Sequence, residues 1–202
     1  MIGRLEQAAG RPVSRETLEK LERFVALLRE ENAHQNLVSA ATLNAVWDRH
    51  ILDSAQLVKY ESPGAPSWLD IGSGAGLPGI VIACLVDGDV TLIEPRRLRA
   101  EFLHKVSESL ALRTTIICAR AERVQGAFDM ITARAVASLS ELLEISAHLS
   151  TRKTVWALPK GRSALQELAQ AKSAWQGDFR VEPSVTDEDS FVVVATKVRA
   201  RT

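Results

Sequence analysis

From residue 67 onward the 202-residue chain alternates short apolar runs with stretches of helical period, which predicts an α/β fold: a mostly parallel sheet with helices on both faces. Two further observations narrow that class. The first apolar run closes on a glycine-rich corner, Asp70-Ile71-Gly72-Ser73-Gly74-Ala75-Gly76-Leu77-Pro78-Gly79. Near the other end, Phe179 to Val185 and Phe191 to Val198 are separated only by Thr186-Asp187-Glu188-Asp189-Ser190. No crossover helix fits so short a loop, so this pair forms an antiparallel hairpin. A doubly wound, Rossmann-like domain with an antiparallel edge is the expected architecture.

The elements follow in order. Leu18, Leu21, Val25 and Leu28 recur at helical spacing through Arg15 to Ala33, with Ser14 as N-cap. Thr17 stands where Glu or Gln would complete a capping box, so the cap is half of that motif. A second amphipathic helix is expected from Ala41 to Val58, ended by the breaker cluster Ser62-Pro63-Gly64-Ala65-Pro66. Strands are expected at 67–71, 89–93, 114–118, 128–132 and 154–158, and helices near 77–85, 97–110, 139–148 and 163–175. This divides the chain into an N-terminal helical extension, 1–62, packed on a single compact domain, 67–202. No internal repeat or low-complexity segment interrupts it.

Composition excludes several classes. Hydrophobic residues make up 46% of the chain, enough to build a sizeable core. No apolar stretch approaches the roughly 18 residues of a membrane span. Met1 to Arg11 lacks the apolar centre of a signal peptide, so the expected location is cytoplasmic. Cys84 and Cys118 each lie in an apolar segment and read as small core residues. His34, His50, His104 and His148 show no i, i+4 pairing, and no metal site is expected. The 25 basic residues balance 25 acidic ones, which argues against a uniformly cationic coat. The basic residues cluster, however: Arg96, Arg97 and Arg99; Arg120 and Arg123; Arg152 and Lys153; Lys160 and Arg162; Lys197, Arg199 and Arg201. Several clusters follow expected strand ends, where open α/β sheets bind ligands. Each pair alone reads as a solvated face; together they suggest a basic rim for a polyanion.

The glycine corner carries the chemistry. Glycines let the backbone turn sharply and let a ligand approach the main chain. The Gly-x-Gly-x-Gly spacing is not the dinucleotide fingerprint, and no Gly-Lys-Ser/Thr ending marks a P-loop. After the next helix, Val90-Thr91-Leu92-Ile93 ends in Glu94, an acid placed about 20 residues past the glycines to receive a ribose diol. NAD and S-adenosylmethionine both present one. Asp70 at the mouth of the corner would repel a pyrophosphate and suits the ammonium and sulfonium of S-adenosylmethionine. The alternative is that Asp70 caps the turn and the glycines serve only a tight corner. Ala121-Glu122, after the third strand, stands where an adenine amine is met; the alternative is a solvent-facing glutamate. Arg134 ends the fourth strand, an unusual tip for a buried strand and a candidate binding residue. Lys160 ends the fifth beside Gly161 and could act as a point charge toward a phosphate.

Asn36-Leu37-Val38-Ser39, Arg49-His50-Ile51-Leu52-Asp53-Ser54, the run Leu69 to Gly79, Ala133-Arg134-Ala135-Val136-Ala137-Ser138 and Lys160-Gly161 together resemble the bacterial RsmG (GidB) family, from about residue 20 to 198. The resemblance implies a class I S-adenosylmethionine-dependent methyltransferase fold. It also implies methylation of guanine N7 in the 530 loop of 16S ribosomal RNA, in the small subunit or an assembly intermediate, with no obligate protein partner. Carried over by position, Gly72, Leu77, Ala121, Glu122 and Arg134 match cofactor contacts and Glu94 the ribose acid; Asp70, Gly74 and Gly76 complete the expected cofactor set. Arg49, His50, Arg96, Arg97, Lys160 and Arg162 are the expected RNA contacts. Two departures stand out: Glu94-Pro95 replaces the family's frequent Asp and Ser, and Pro159 fixes the backbone before Lys160.

Guanine N7 carries a lone pair and no proton, so its methylation needs no general base, and none is expected here. Alignment of the reacting atoms supplies the catalysis. Asp53 is a candidate to face the developing positive charge; a packing or capping bond with Arg49 or Ser54 is the alternative. Two other classes remain open on sequence: a methyltransferase for another RNA, a protein or a small molecule, and a nucleotide-binding module without catalysis.

Overall fold

In the computed structural model, residues 1–64 and 66–201 are described, so Ala65 of the breaker cluster lies outside them. The chain opens with α1 (Ile2–Ala9), which the sequence reading did not anticipate, and α2 (Arg15–Asn32). Only Leu5, Ala8 and Ala9 of α1 are buried, a face too short to register as a helical period. Gly10, at φ 67°, ends it in a left-handed cap. Ser14 caps α2 as expected, accepting the Thr17 amide.

The helix expected over 41–58 is broken. A short α3 (Ala40–Asn44) gives way to a π-helical stretch, Trp47–Leu52, then a single α-turn, α4 (Asp53–Ala55), and a 3₁₀ segment, Gln56–Tyr60. His50, Ile51, Leu52, Ser54 and Ala55 are all buried. A regular helix has one buried stripe and cannot bury so nearly continuous a run on one side; the wider turn shifts the phase. The Ser54 hydroxyl donates to the His50 carbonyl at 2.6 Å.

Five parallel strands follow: β1 (Trp68–Ile71), β2 (Val90–Ile93), β3 (Thr114–Ile117), β4 (Phe128–Ala133) and β5 (Ser150–Lys160). Between them run α5 (Gly79–Leu85), α6 (Arg97–Ser109), α7 (Leu139–Ser146) and, after β5, α8 (Ala164–Ala174). The antiparallel β6 (Trp175–Pro183) and β7 (Phe191–Ala200) complete a sheet of order β3-β2-β1-β4-β5-β7-β6. The chain reverses its direction of travel between β1 and β4. Their outgoing loops therefore diverge and leave a crevice at the carboxyl ends of the strands.

Side chains alternate across the sheet as the strand period requires. Trp68, Ile80 and Leu92 share one buried cluster with Leu5, Phe24 and Leu28 of the N-terminal helices. Leu69, Ile71, Ile131, Leu142, Trp156 and Val193 form a second cluster on the other face. Four strands reach beyond their expected bounds, β5 and β6 the furthest. β5 begins at Ser150 instead of 154, through the polar run Thr151-Arg152-Lys153. β6 begins at Trp175, because β7 pairs with it from Trp175↔Ala200 to Pro183↔Phe191. Such edge segments carry little apolar signal.

One thiol expectation needs correction. Cys84 is half-buried, with burial pushing its pKa up to about 12, but Cys118 is exposed. It lies just past β3, an edge strand, where one flank has no neighbour. No described helix is long and apolar enough to cross a membrane.

Candidate functional site

The glycine corner is held by its own backbone and two buried carboxylates. Gly72 and Ser73 donate their amides to the Ile93 carbonyl at 2.8 and 3.0 Å, which ties the corner to β2. Gly72 and Gly76 have φ of 68° and 85°, conformations that side chains rarely adopt. A Cβ at Gly76 would stand 2.7 Å from Ile80 Cγ1, and one at Gly72 would stand 2.6 Å from Val136 Cγ2.

Asp70 lies beneath the corner, not at its mouth. Its side chain shares the β1 face with Trp68 and is 1% exposed. Oδ2 accepts the Gly79 amide at 3.1 Å, while Oδ1 has no partner among the described residues. Gly79 makes that approach possible, since a Cβ there would fall 2.6 Å from Asp70 Oδ2. Burial pushes the Asp70 pKa up to about 7, against the opposing pull of the Ser73 and Gly79 hydrogen bonds. The sequence alternative, a brace for the turn, is the geometry found.

Glu94 sits at the tip of β2, also buried. Its Oε2 accepts the Gly74 amide at 2.9 Å and its Oε1 the Arg96 amide at 2.8 Å. Each oxygen keeps a further lone pair. Arg99, named above only as part of a basic cluster, places its Nη1 3.7 Å from where a Gly74 Cβ would stand. Leu77 is buried at the start of the corner's return, and Ala121 is buried in a 3₁₀ turn, Ala121–Arg123, after β3. Glu122 of the same turn is exposed.

Beside the corner a crevice of about 550 Å³ opens between the N-terminal segment, the tips of β4 and β5, and the β6–β7 loop. Arg49, His50, Asp53, Arg134, Lys160 and Asp187 are among its lining residues. Arg134 donates to the Arg49 carbonyl at 3.2 Å and pairs with Asp53 Oδ2 at 3.3 Å. Asp53 Oδ1 accepts from Gln56 Nε2 and the Thr186 hydroxyl. Neither partner proposed from sequence for Asp53, Arg49 or Ser54, bonds to its carboxylate; Gln56, three residues on, and the remote Arg134 and Thr186 do. Ala135, which follows Arg134, has φ of 55°, and Val136 then reaches back over Gly72. One short turn thus links the crevice to the corner.

Lys160 is not a free cation. Its Nζ lies 2.8 Å from Glu167 Oε2 and 3.0 Å from the Ala137 carbonyl. Arg49 pairs with Asp187, and Arg162 with Asp189. His50 is buried, with no hydrogen-bond partner on either ring nitrogen among the described residues. Burial, reinforced by the nearby Arg134 charge, lowers its pKa to about 4, so the ring is neutral at pH 7. Arg96 and Arg97 stand apart from this crevice. They flank a separate, smaller depression of about 440 Å³ with Gln35, Asn36, Leu98 and Arg99. Arg97 also pairs with Glu101 one helical turn on.

Known proteins resemble this chain in fold and in sequence. Solved structures share the fold at low identity. A SAM dependent methyltransferase from Aquifex aeolicus aligns with a TM-score of 0.60 and 14% identity, over 76% of this chain and 93% of that one. A ribosomal protein L11 methylase from Lactobacillus delbrueckii subsp. bulgaricus gives 0.59 and 14%, over 76% and 80%. Sequence relatives are far nearer. The ribosomal RNA small subunit methyltransferase G of Zymomonas mobilis subsp. mobilis is 47% identical, over 98% of this chain and 92% of its own. That of Bartonella tribocorum is 40% identical, over 93% and 91%. Residues 17–189 match the family described as GidB, rRNA small subunit methyltransferase G. With most of its length matched and relatives at this identity, the chain belongs to the GidB family.

Proposed function

We propose that this protein uses S-adenosylmethionine to methylate N7 of a guanine in the 530 loop of 16S ribosomal RNA. The observation that carries the reading is the 47% identity, over nearly the whole chain, to a ribosomal RNA small subunit methyltransferase G. The site geometry supports it. A glycine corner tied to a buried acid at the second strand tip fits a cofactor with a ribose diol. The crevice beside it holds arginines and a neutral histidine with unused hydrogen-bonding atoms.

When bound, S-adenosylmethionine supplies an electrophilic methyl group. Gly72, Gly74, Gly76 and Leu77 would hold it along the corner, Glu94 at the ribose, Ala121 and Glu122 at the adenine, and Arg134 at the methionine end. Asp70 acts through the corner, holding the Gly79 amide from below. Guanine N7 offers an in-plane lone pair and carries no proton, so no residue of the site need act as a general base. The protein's part is therefore alignment and the exclusion of water. Arg49, His50, Lys160 and Arg162 lie along or beside the crevice, and Arg96 and Arg97 extend the RNA path across the neighbouring depression. N7 lies on the Hoogsteen edge, so a single-stranded loop presents it best. A substrate in the small subunit or its precursor places the work in the cytoplasm and calls for no obligate protein partner.

Mass analysis of 16S RNA from cells lacking the gene tests this directly. The expected result is loss of one 7-methylguanosine from the 530 loop, restored by the wild-type gene and not by Glu94→Ala. An unchanged methylation pattern, or loss at another base, would overturn the assignment.

A further inference from the structure

The β6–β7 loop crosses the mouth of the crevice in two parts. Its base is tied down: the Ser184 hydroxyl accepts from Gln56 Nε2 at 3.0 Å, the Val185 amide donates to Gln56 Oε1 at 3.0 Å, and Thr186 reaches Asp53. Its tip carries three consecutive acids, Asp187-Glu188-Asp189. Two of them engage cations on different elements: Asp187 pairs with Arg49 of the π-helical stretch, and Asp189 with Arg162 after β5. The Asp189 amide and the Arg49 guanidinium hold the Asp187 carboxyl below the usual carboxylate range, so it is ionised at neutral pH. Glu188, between them, has no ion pair among the described residues.

Both pairs are solvent-exposed at the arginine, with Arg49 half and Arg162 four-fifths accessible. Exposed pairs are individually weak and exchange readily for another anion. A phosphate oxygen meets the same guanidinium fork as a carboxylate. Each aspartate takes one nitrogen of its guanidinium, so an RNA phosphate can grip either arginine through the full fork only by displacing an aspartate.

We propose that Asp187 and Asp189 are specificity-determining residues that occupy the phosphate-binding face of Arg49 and Arg162, so that only an RNA with enough further contacts in the crevice displaces them. The inference rests on the RNA-methylating reading given above. Non-cognate RNA must break the two pairs with little else to gain, whereas the cognate loop adds base contacts. Selectivity of this kind comes from a cost imposed on the wrong partner.

The test compares wild type, D187N/D189N and E188Q as full-length protein. Two probes are used: a short polyuridine RNA, and small ribosomal subunits from cells lacking the gene. D187N/D189N is expected to bind polyuridine about three- to tenfold tighter at low salt, a gain that shrinks as salt rises. Methylation of the subunits should gain less, so discrimination falls. E188Q removes a neighbouring charge but no ion pair and should change polyuridine binding by less than half as much. Calorimetry with S-adenosylhomocysteine, at unchanged affinity, verifies that the variants are folded. Unchanged or weaker polyuridine binding by D187N/D189N overturns the proposal, as does E188Q matching the double variant. Failure of the wild type to methylate the subunits overturns instead the functional reading, and is read without any variant.

Discussion

At the glycine corner the contacts that set the shape end on main chain: Asp70 on the Gly79 amide, Glu94 on the amides of Gly74 and Arg96, Ile93 on those of Gly72 and Ser73. In the crevice alongside, most of the shaping contacts join side chains: Arg134 to Asp53, Lys160 to Glu167, Arg49 to Asp187. The carboxylates of the first set are buried. Much of the second is partly wet, and each cation would accept a phosphate in place of its carboxylate. The difference separates two tasks. A cofactor of fixed shape suits a corner formed before it arrives, whereas a long anion suits charges that can change partners.

The largest effect should come from violating the backbone of the corner. Gly76→Ala places a Cβ against Ile80 at a positive φ, which should cost about 3 kcal/mol of folding stability and abolish cofactor binding. Denaturant unfolding checks the first and calorimetry the second. A variant that unfolds like wild type would show the corner to be as adaptable as the crevice.

Glu94→Ala comes next. It removes the acid expected at the ribose and the brace on Gly74, and should weaken cofactor binding by about 2 kcal/mol, roughly thirtyfold in Kd. Calorimetry with unchanged affinity would sink the ribose assignment.

Smallest is Arg134→Lys, on the border between the two regions. The lysine keeps the charge beside Asp53 and loses the planar fork. Cofactor Kd should rise about fivefold, with methyl transfer falling in step. Normal cofactor binding, with activity lost only at limiting RNA, would move Arg134 to the crevice side of the comparison.

These regions also differed in how far the sequence disclosed them. The corner is contiguous, residues 70–79 plus Glu94, and its glycine spacing and strand-tip acid can be read from local pattern. Even there Asp70 turns inward to the Gly79 amide and away from the expected place at the mouth. Alternation along Trp68-Leu69-Asp70-Ile71 could have placed it with Trp68, on the face where α5 returns. The crevice draws on segments near 37–53, 134–137, 159–167 and 186–191. No spacing rule pairs Arg134 with Asp53 across 81 positions, or Arg49 with Asp187 across 138. Basic clusters were visible as residues, but their acidic partners were visible only as a short loop. The π-helical stretch escaped for a related reason: its burial is imposed by packing on two sides, which overrides the local period.

The buried carboxyl under the corner also has a consequence for how the molecule responds to acidity. An unfolded Asp70 would titrate near 3.8, while the folded one titrates near 7. The native state thus holds an extra proton between those values, and stability contributed by the neutral form is lost as pH rises through 7. His50, titrating near 4 when folded and 6.5 when not, has the opposite sign and acts only on the acid side. Above pH 6.5 the Asp70 contribution therefore stands alone of the two, and between pH 6.5 and 8 it should lower unfolding free energy by about 1 kcal/mol. Asp70→Asn should flatten that slope; an identical slope in the variant would refute the assignment. Near neutrality the beam beneath the cofactor corner is half charged, and the ionised form grips the Gly79 amide harder while costing the fold more.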